Sequence, residues 1–452
     1  MVFAQNPSIF LKKIIYFFFF YMIIEGVIRK WIFADYFREI YFIKDFFLIF
    51  IYVYALKFNY LFTSKLSKVI TFVILIVCLL GSLGYNFESK NEILYYFIGL
   101  RSYWLYLPLT LIVMHLFKPN EIFKFFEINL YFILPLFILV YIQTVSSYQS
   151  VINSGYNSLV FNPERPSGYF TFTTQNVFYL IFLSICYYST LLKTRNLSFI
   201  KIIYFTFINF MIFSIMILLK SRAVYLFLFC SIFYSFFFLL ISDPIKKKLN
   251  KILFLLIATP LIFIISSKIF DKQYEFSVSR INTDTHDQMQ FVNEYKNKKI
   301  IFLKETTVNT FCEENSSICR VINEIYFVSE IKKAKIFGHG IGAGTTPVMA
   351  LKNQKNFSLG EVENYRIIQE LGYIFGSLFV LTKFLVIIFL NIIFLIKFRK
   401  FTEYSPILVF ISVQLAIGSI TMSVSFISFI FWFCLGIFLR IFNKNFKESY
   451  QK

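Results

Sequence analysis

Apolar segments about as long as a membrane is thick recur along this chain and constrain its fold more than any other feature. A helix rises about 1.5 Å per residue and the hydrocarbon core is about 30 Å thick, so one crossing needs about 20 mostly apolar residues. Twelve segments satisfy this requirement: 11–28, 40–57, 68–84, 93–117, 124–145, 174–192, 199–219, 223–242, 251–268, 369–396, 405–420 and 424–440. The last two are separated only by residues 421–423 and could instead form one long tilted helix. The sequence therefore predicts an all-α integral membrane protein, a bundle of about twelve transmembrane helices.

Composition agrees with a membrane protein. Of the 452 residues, 58% are hydrophobic and 15% are charged, whereas soluble domains are about 45–50% apolar and about 25% charged. These values exclude a soluble enzyme, and an aromatic content of 21% excludes a disordered chain. Lys12 and Lys13 precede the first segment as in a signal peptide, but Glu25 interrupts it and no small-residue cleavage site follows. We expect this segment to be retained as a helix.

The net charge of +20 indicates orientation rather than nucleic-acid binding. When the connections are assigned alternately to two sides, 21 Lys and Arg fall on one side. The short connections opposite carry seven: Arg29, Lys30, Arg38, Lys90, Arg165, Lys220 and Arg222. Because basic residues accumulate on the cytoplasmic side, both termini are predicted to be cytoplasmic.

One connection differs from the others in length. Residues 269–368 lie between the ninth and tenth predicted helices on the extracytoplasmic side and divide the chain into 1–268, 269–368 and 369–452. Long connections are usually functional or disordered, and apolar helical stretches here favour a folded cap. A smaller outer loop spans 146–173. Cys312 and Cys319 bracket a short polar stretch of the cap and predict a structural disulfide; a zinc site would need two further ligands.

Ionisable residues within or at the outer edge of membrane helices are candidates for function, because burying a charge in a membrane is costly. Arg101 lies in GLRSYWLYLP and predicts either an ion pair with Glu25 or Asp45, or an anion site within the bundle. Lys220 and Arg222 form an outer KSR turn, which suits phosphate oxygens or, alternatively, interfacial snorkelling. Arg280, in the cap, is by itself an ordinary surface arginine.

A glycine cluster, IFGHGIGAGT at 336–345, holds His339. A histidine can accept a proton near neutral pH and so suits a general base that activates a hydroxyl; the alternative is a glycine turn with an incidental histidine. A phosphate-loop lysine is missing, as are a DxD pair, G-x-S-x-G, HExxH and any cluster of metal ligands. This pattern favours a metal-free transfer with a diphosphate leaving group.

Several motifs, in this order along the chain, resemble the O-antigen ligase and O-antigen polymerase superfamily. They are an SR pair, GHGIGAGT and ELGYIFG, while EGVIRKW, FIKDFF, GLRSYWLYLP and RPSGYF look like a branch of exopolysaccharide polymerase-like proteins. The resemblance implies a GT-C-like fold and a glycan carried on undecaprenyl diphosphate. That lipid activates the glycan, so neither a metal nor another cofactor is implied, and transfer inverts the anomeric carbon.

By motif position, the resemblance implies that Arg222 and Arg280 hold the diphosphate and that His339 activates the acceptor. Many members carry a histidine-asparagine pair before ELGxxG, whereas this chain has Glu361 and Glu363 with Arg366 nearby, so a glutamate is an alternative base. Further candidates for substrate contact are Arg29, Lys30, Arg101, Arg165 and Lys220.

The expected activity is a glycosyltransferase of polysaccharide assembly in the bacterial inner membrane, with polymerase favoured over ligase by the branch motifs. Membrane lipids, a flippase and a chain-length regulator are the expected partners, and nucleic acid is not. Two other classes stay open. A lipid-linked oligosaccharide flippase would not need a large cap with a glycine-held histidine, and an accessory subunit would tolerate loss of Arg222 and His339.

Overall fold

The computed structural model describes residues 7–61, 65–84, 90–146, 150–153, 165–194, 196–242, 249–275, 335–345, 348, 363–417 and 424–442. These residues form fifteen α-helices and no β-strand. The helices are α1 (Pro7–Val27), α2 (Phe37–Lys57), α3 (Lys65–Ser82), α4 (Lys90–Trp104), α5 (Leu107–Leu116), α6 (Pro119–Leu130), α7 (Ile133–Val145), α8 (Thr173–Lys193), α9 (Phe199–Leu219), α10 (Arg222–Ser242), α11 (Leu249–Leu253), α12 (Thr259–Ile269), α13 (Glu363–Ile393), α14 (Ser405–Ile417) and α15 (Ser425–Leu439).

The prediction of an all-α membrane protein is confirmed. Among the described residues, nine helical segments are long and apolar enough to cross a membrane: Pro7–Ile32, Asn91–Leu116, Pro119–Val145, Thr173–Lys193, Phe199–Leu219, Ala223–Ser242, Leu249–Ile269, Glu363–Phe398 and Ser425–Phe442. The other three predicted segments also lie on helices, namely α2, α3 and α14. Helices α14 and α15 pack against each other, and Val424 before α15 is extended, so they are two helices rather than one.

Three of the crossing segments are interrupted near a proline. Pro108 is the second residue of α5, which follows a short break from α4, and Pro260 is the second residue of α12, which follows a π-helical turn, Phe254–Ala258. Pro135 lies in the first turn of α7, just after the break from α6. Proline lacks an N–H and clashes with the preceding turn, which explains why the apolar runs continue while the helices do not.

The interior of the bundle is apolar and rich in aromatic residues. Helix α8 is buried along nearly its whole length and α15 along most of it, whereas α13 exposes most of its surface. Phe19 lies near the centre, with its ring 4.7 Å from that of Phe125 and 5.2 Å from that of Phe182. Exposed apolar side chains cover α2, α9, α12 and α13, as expected for helices that face lipid.

Polar contacts gather at the two ends of the bundle. At one end Lys12 pairs with Glu121, 2.8 Å apart, and Arg440 donates to the Met114 carbonyl. At the other end, side chains link segments that are distant in sequence: Lys30 with Ser167, Tyr41 with Ser425, and Asn364 with the Ala416 carbonyl. We call this second end the site end, because it contains the described candidate residues.

Candidate functional site

Helix α13 is broken at the site end. Gly372 has φ 86° and ψ 165°, which an L side chain rarely adopts, and the Ile336 carbonyl lies where its Cβ would be. Lys383 donates to the Asn364 side chain at 2.8 Å although nineteen residues separate them, so residues 363–371 fold back against the longer arm. Sequence analysis placed the start of this helix at 369 and did not predict the break.

The glycine loop, residues 335–345, packs on the end of the short arm of α13, residues 363–371. His339 N donates to the Gln369 carbonyl (2.9 Å) and Gly340 N to the Glu370 carbonyl (3.0 Å), which satisfies carbonyls that the end of a helix leaves without partners. Each backbone N–H from 338 to 345 donates a hydrogen bond within the protein. The loop amides therefore form protein contacts and do not form a phosphate cradle, in agreement with the missing phosphate-loop lysine.

The carboxylate of Glu370 lies inside the glycine loop and is fully buried. One oxygen accepts hydrogen bonds from Gly342 N (2.9 Å) and from the Tyr103 hydroxyl (2.5 Å), and the other accepts one from Gly344 N (2.9 Å). The guanidinium of Arg366 lies 3.7 Å away. Glu370 is thus the anion around which the loop folds.

Glycines let the loop approach α3 and α4 closely. A Cβ on Gly342 would lie within 3.0 Å of the Gly99 Cα, and a Cβ on Gly84 within 3.0 Å of Gly340. Ile341 N donates to the Gly81 carbonyl, 3.1 Å. Gly338 and Gly342 are thus needed for close contacts of the loop with α13 and α4.

His339 is partly buried at the surface that the glycine loop forms with the short arm of α13. The other candidates of the same region lie on the short arm of α13: Glu363 is buried with Lys383 3.7 Å away, and Arg366 is buried next to Glu370. The structure therefore brings His339, Glu363 and Arg366 to one helix arm and its loop. Glu361 lies outside the described residues.

A second group of polar side chains, the charged cluster, is formed where α1, α2 and α4 meet. Its central carboxylate, Glu25, is 3% exposed and accepts hydrogen bonds from Arg29 (2.9 Å) and from Lys44 (2.9 and 3.0 Å). Arg29 lies on a π-helical turn, Ile28–Ile32, that ends the first crossing segment. Such turns often occur at functional sites. The members of the charged cluster are Glu25, Arg29, Lys30, Tyr41, Lys44, Asp45 and Arg101.

Arg101 occupies the other side of the charged cluster. It pairs with Asp45 at 2.6 and 3.1 Å and also reaches the hydroxyl of Ser425. This confirms the expected internal ion pair and selects Asp45 over Glu25 as the partner. The ring of Tyr41 lies under Lys44 (3.5 Å) and beside Arg101 (5.0 Å), so an aromatic face contributes to holding both cations.

Lys30 connects the charged cluster to the segment 165–172. It is 5% exposed and donates to the Ser167 hydroxyl (3.0 Å) and the Gly168 carbonyl (2.8 Å). Arg165 begins the same segment and is partly buried. Burial raises the pKa of Tyr169 above its ordinary value. Four cations against two carboxylates give the charged cluster a formal excess of two positive charges.

Helix α4 joins the charged cluster to the glycine loop. Gly99 and Tyr103, four residues apart and so on one face, contact the loop and Glu370. Arg101, between them, points to Asp45 on another face. The motifs at 25–31, 42–47, 99–108 and 165–170 therefore meet at one place, with the glycine loop on the opposite side of one helix.

The remaining predicted residues are only partly described. Lys220 directly follows α9, has φ 51° and is partly exposed. Arg222 begins α10, but its side chain lies outside the described part of the chain. Arg280 and the predicted pair Cys312 and Cys319 also lie outside it. The described cysteines are free: Cys78, Cys186, Cys230 and Cys434.

Sequence reasoning missed Glu370, Tyr103, Tyr41 and Lys44 as parts of these clusters. Lys44 and Tyr41 lie in or beside FIKDFF, so a lysine within an apolar run was a usable signal. Glu370 gave less signal, because a glutamate near a predicted helix start is unremarkable.

Among the residues that the structure describes, no three His, Cys, Asp or Glu side chains are close enough together to hold a metal ion. Comparison with protein-family profiles, curated proteins and solved structures finds no match to this chain.

Proposed function

We propose that this protein is a membrane glycosyltransferase that polymerises oligosaccharide repeat units carried on undecaprenyl diphosphate into O-antigen or exopolysaccharide. The observation that carries the proposal is the arrangement around α4. Arg101 belongs to the charged cluster, and Tyr103 contacts Glu370 inside the glycine loop. The charged cluster has an excess of positive charge, which suits an anionic leaving group. The glycine loop holds a histidine at its surface, which suits proton transfer.

In the proposed reaction, a hydroxyl oxygen of the acceptor glycan attacks the anomeric carbon of the donor. The bond from that carbon to the diphosphate oxygen breaks, and its electron pair leaves with the undecaprenyl diphosphate. The hydroxyl proton passes to His339, with Glu363 as the alternative base. Arg222 and Arg280 hold the diphosphate, and Arg101, Lys30, Arg29, Lys220 and Arg165 are the further cationic candidates.

The cationic side chains make a metal unnecessary in this mechanism. No carboxylate of the described residues lies within ion-pair distance of the Lys30 ammonium, although the side chain is buried. A buried cation of this kind is costly unless an anion joins it for at least part of the cycle. This supports an anionic substrate at the site end.

The proposal includes an arrangement in the bacterial inner membrane. The chain crosses it twelve times, both termini are cytoplasmic, and residues 269–368 form an extracytoplasmic cap over the site end. The site end then faces the leaflet where the lipid-linked substrate is presented, and a flippase and a chain-length regulator act with the protein.

The test is substitution in the native host. His339→Ala and, separately, Arg222→Ala are compared with matched controls at the opposite end of the bundle, His115→Ala and Arg399→Ala. Surface polysaccharide and the lipid-linked pool are separated on gels, and the amount of each protein in the membrane is measured.

Single repeat units without a ladder in both site variants, with normal ladders in both controls, support a polymerase. Polymer that is built but stays on its carrier lipid indicates a ligase instead. Normal ladders from both site variants contradict the proposal, and loss of lipid-linked repeats from the outer leaflet indicates a flippase.

A further inference from the structure

We propose that Glu370 is a positioning residue that fixes the glycine loop and, through it, His339. The inference rests on the proposed function, since the position of His339 matters to catalysis only if this side chain takes the acceptor proton. Glu370 itself is fully buried and so does not touch substrate. Its effect on the reaction passes through the loop.

The carboxylate of Glu370 uses both oxygens to hold three donors from two separate elements. Gly342 N and Gly344 N come from the glycine loop, and the hydroxyl of Tyr103 comes from α4. Arg366, one turn earlier on the same arm, lies 3.7 Å away and balances the charge. The side chain therefore ties the loop, α4 and the short arm of α13 together at one point.

Residues 369 and 370 together accept four backbone hydrogen bonds from the loop. Two go to the main-chain carbonyls, from His339 and Gly340, and two go to the Glu370 side chain, from Gly342 and Gly344. His339 thus lies at the start of a run in which four of the first six amides donate to one helix end. Because loop glycines have little conformational preference of their own, the carboxylate is what selects this conformation.

The negative charge is essential to this role. Hydrogen bonds to an ionised acceptor are roughly twice as strong as those to a neutral one. The carboxamide of Glu370→Gln keeps the shape but turns one acceptor into a donor, which would face a loop N–H. The substitution therefore releases one side of the loop without creating a cavity.

The first measurement is hydrogen–deuterium exchange of the purified protein in lipid nanodiscs, read on the peptide that covers 335–345. The variants are Glu370→Gln and Tyr103→Phe, and the matched control is Glu121→Gln at the opposite end of the bundle. Exchange of the loop amides is expected to quicken about ten-fold or more in Glu370→Gln, since a charged acceptor is lost. Exchange of α8 is expected to stay unchanged, and Glu121→Gln is expected to match the wild type.

The second measurement is steady-state polymerisation of lipid-linked repeat units extracted from the host. Turnover by Glu370→Gln is expected to fall about 100-fold while KM changes less than about three-fold, because the base is misplaced and substrate binding is kept. Tyr103→Phe, which leaves the carboxylate and both loop amides in place, is expected to retain more turnover than Glu370→Gln. Wild-type loop exchange in Glu370→Gln would overturn the proposal, as would faster loop exchange with unchanged turnover when His339→Ala does lose turnover.

The two hypotheses fail in different ways. If His339→Ala keeps full turnover while Glu370→Gln still loosens the loop, the role of Glu370 in fixing the loop stands and the assignment of His339 as the base is wrong. If α8 also exchanges faster in Glu370→Gln, the side chain supports the whole fold, and a specific positioning role is refuted.

Discussion

Glu25→Gln is expected to destabilise the protein strongly, because it removes the charge that pairs two buried cations. The Glu25 carboxylate is 3% exposed and lies 2.9 Å from both the Arg29 guanidinium and the Lys44 ammonium. Removing one partner of a buried ion pair costs about 3–5 kcal/mol, since the other charge stays buried without that partner. The equilibrium constant for unfolding should therefore rise by about two to four orders of magnitude.

The matched control is Glu121→Gln, which breaks the pair with Lys12 at the other end of the bundle. The Glu121 side chain is 36% exposed, so its loss should cost about 1 kcal/mol or less. Reversible unfolding by sodium dodecyl sulphate in mixed micelles, followed by tryptophan fluorescence, measures both. The double variant Glu25→Gln/Lys44→Met should recover at least about 1 kcal/mol, because it removes one of the two buried cations that lose their contact with this carboxylate.

Two outcomes would refute this reasoning. A loss of stability in Glu25→Gln no larger than in Glu121→Gln would mean that the charged cluster does not depend on its carboxylate. A double variant as unstable as Glu25→Gln would mean that the loss comes from packing and not from an unpaired cation.

Three further predictions follow from other parts of the molecule. Gly342→Ala requires an alanine at φ 80° and puts a methyl group against Gly99. It should cost about 1–3 kcal/mol in the same unfolding assay and abolish the polysaccharide ladder. Wild-type stability of this variant would contradict the packing of the loop. If Cys312 and Cys319 form a disulfide, the denatured protein should react with maleimide at four thiols before reduction and six after it, whereas six before reduction would disprove the bond. Green fluorescent protein fused after residue 452 should fluoresce, since the C-terminus is predicted to be cytoplasmic, and alkaline phosphatase fused after residue 310 should be active, since residues 269–368 are predicted to be extracytoplasmic. The reverse pattern would show that the chain has the opposite orientation.

The helices could be predicted from sequence because each long apolar run has only one stable form in a membrane. Their interruptions could not. The run through Pro108 stays apolar on both sides of the break, and at Gly372 a polar stretch passes into an apolar one without a proline or a turn motif to mark a break. Such a residue can break a helix, kink it or leave it unchanged. The outcome depends on neighbours that are distant in sequence, such as the Ile336 carbonyl beside Gly372.

The candidate site was predicted in its residue types better than in its pairings. Arg101 was expected to pair with Glu25 or Asp45, and only the rotation of α2 against α4 decides for Asp45. Glu370 could not be assigned, since its partners Gly342 and Gly344 lie nearly thirty residues earlier and Tyr103 lies on α4. Hydropathy carries no information about which polar residues of different helices face each other.

Reconstitution with purified components shows whether this protein alone joins lipid-linked repeat units with His339 as the base. The protein in proteoliposomes is supplied with lipid-linked repeat units from the host, and both the glycan products and the released undecaprenyl diphosphate are quantified. We expect a ladder with one carrier released for each repeat joined, and a rate about 100-fold or more lower for His339→Ala, as for loss of a general base. Repeat units left unjoined by the wild-type protein, or joined equally fast by His339→Ala, would contradict this expectation.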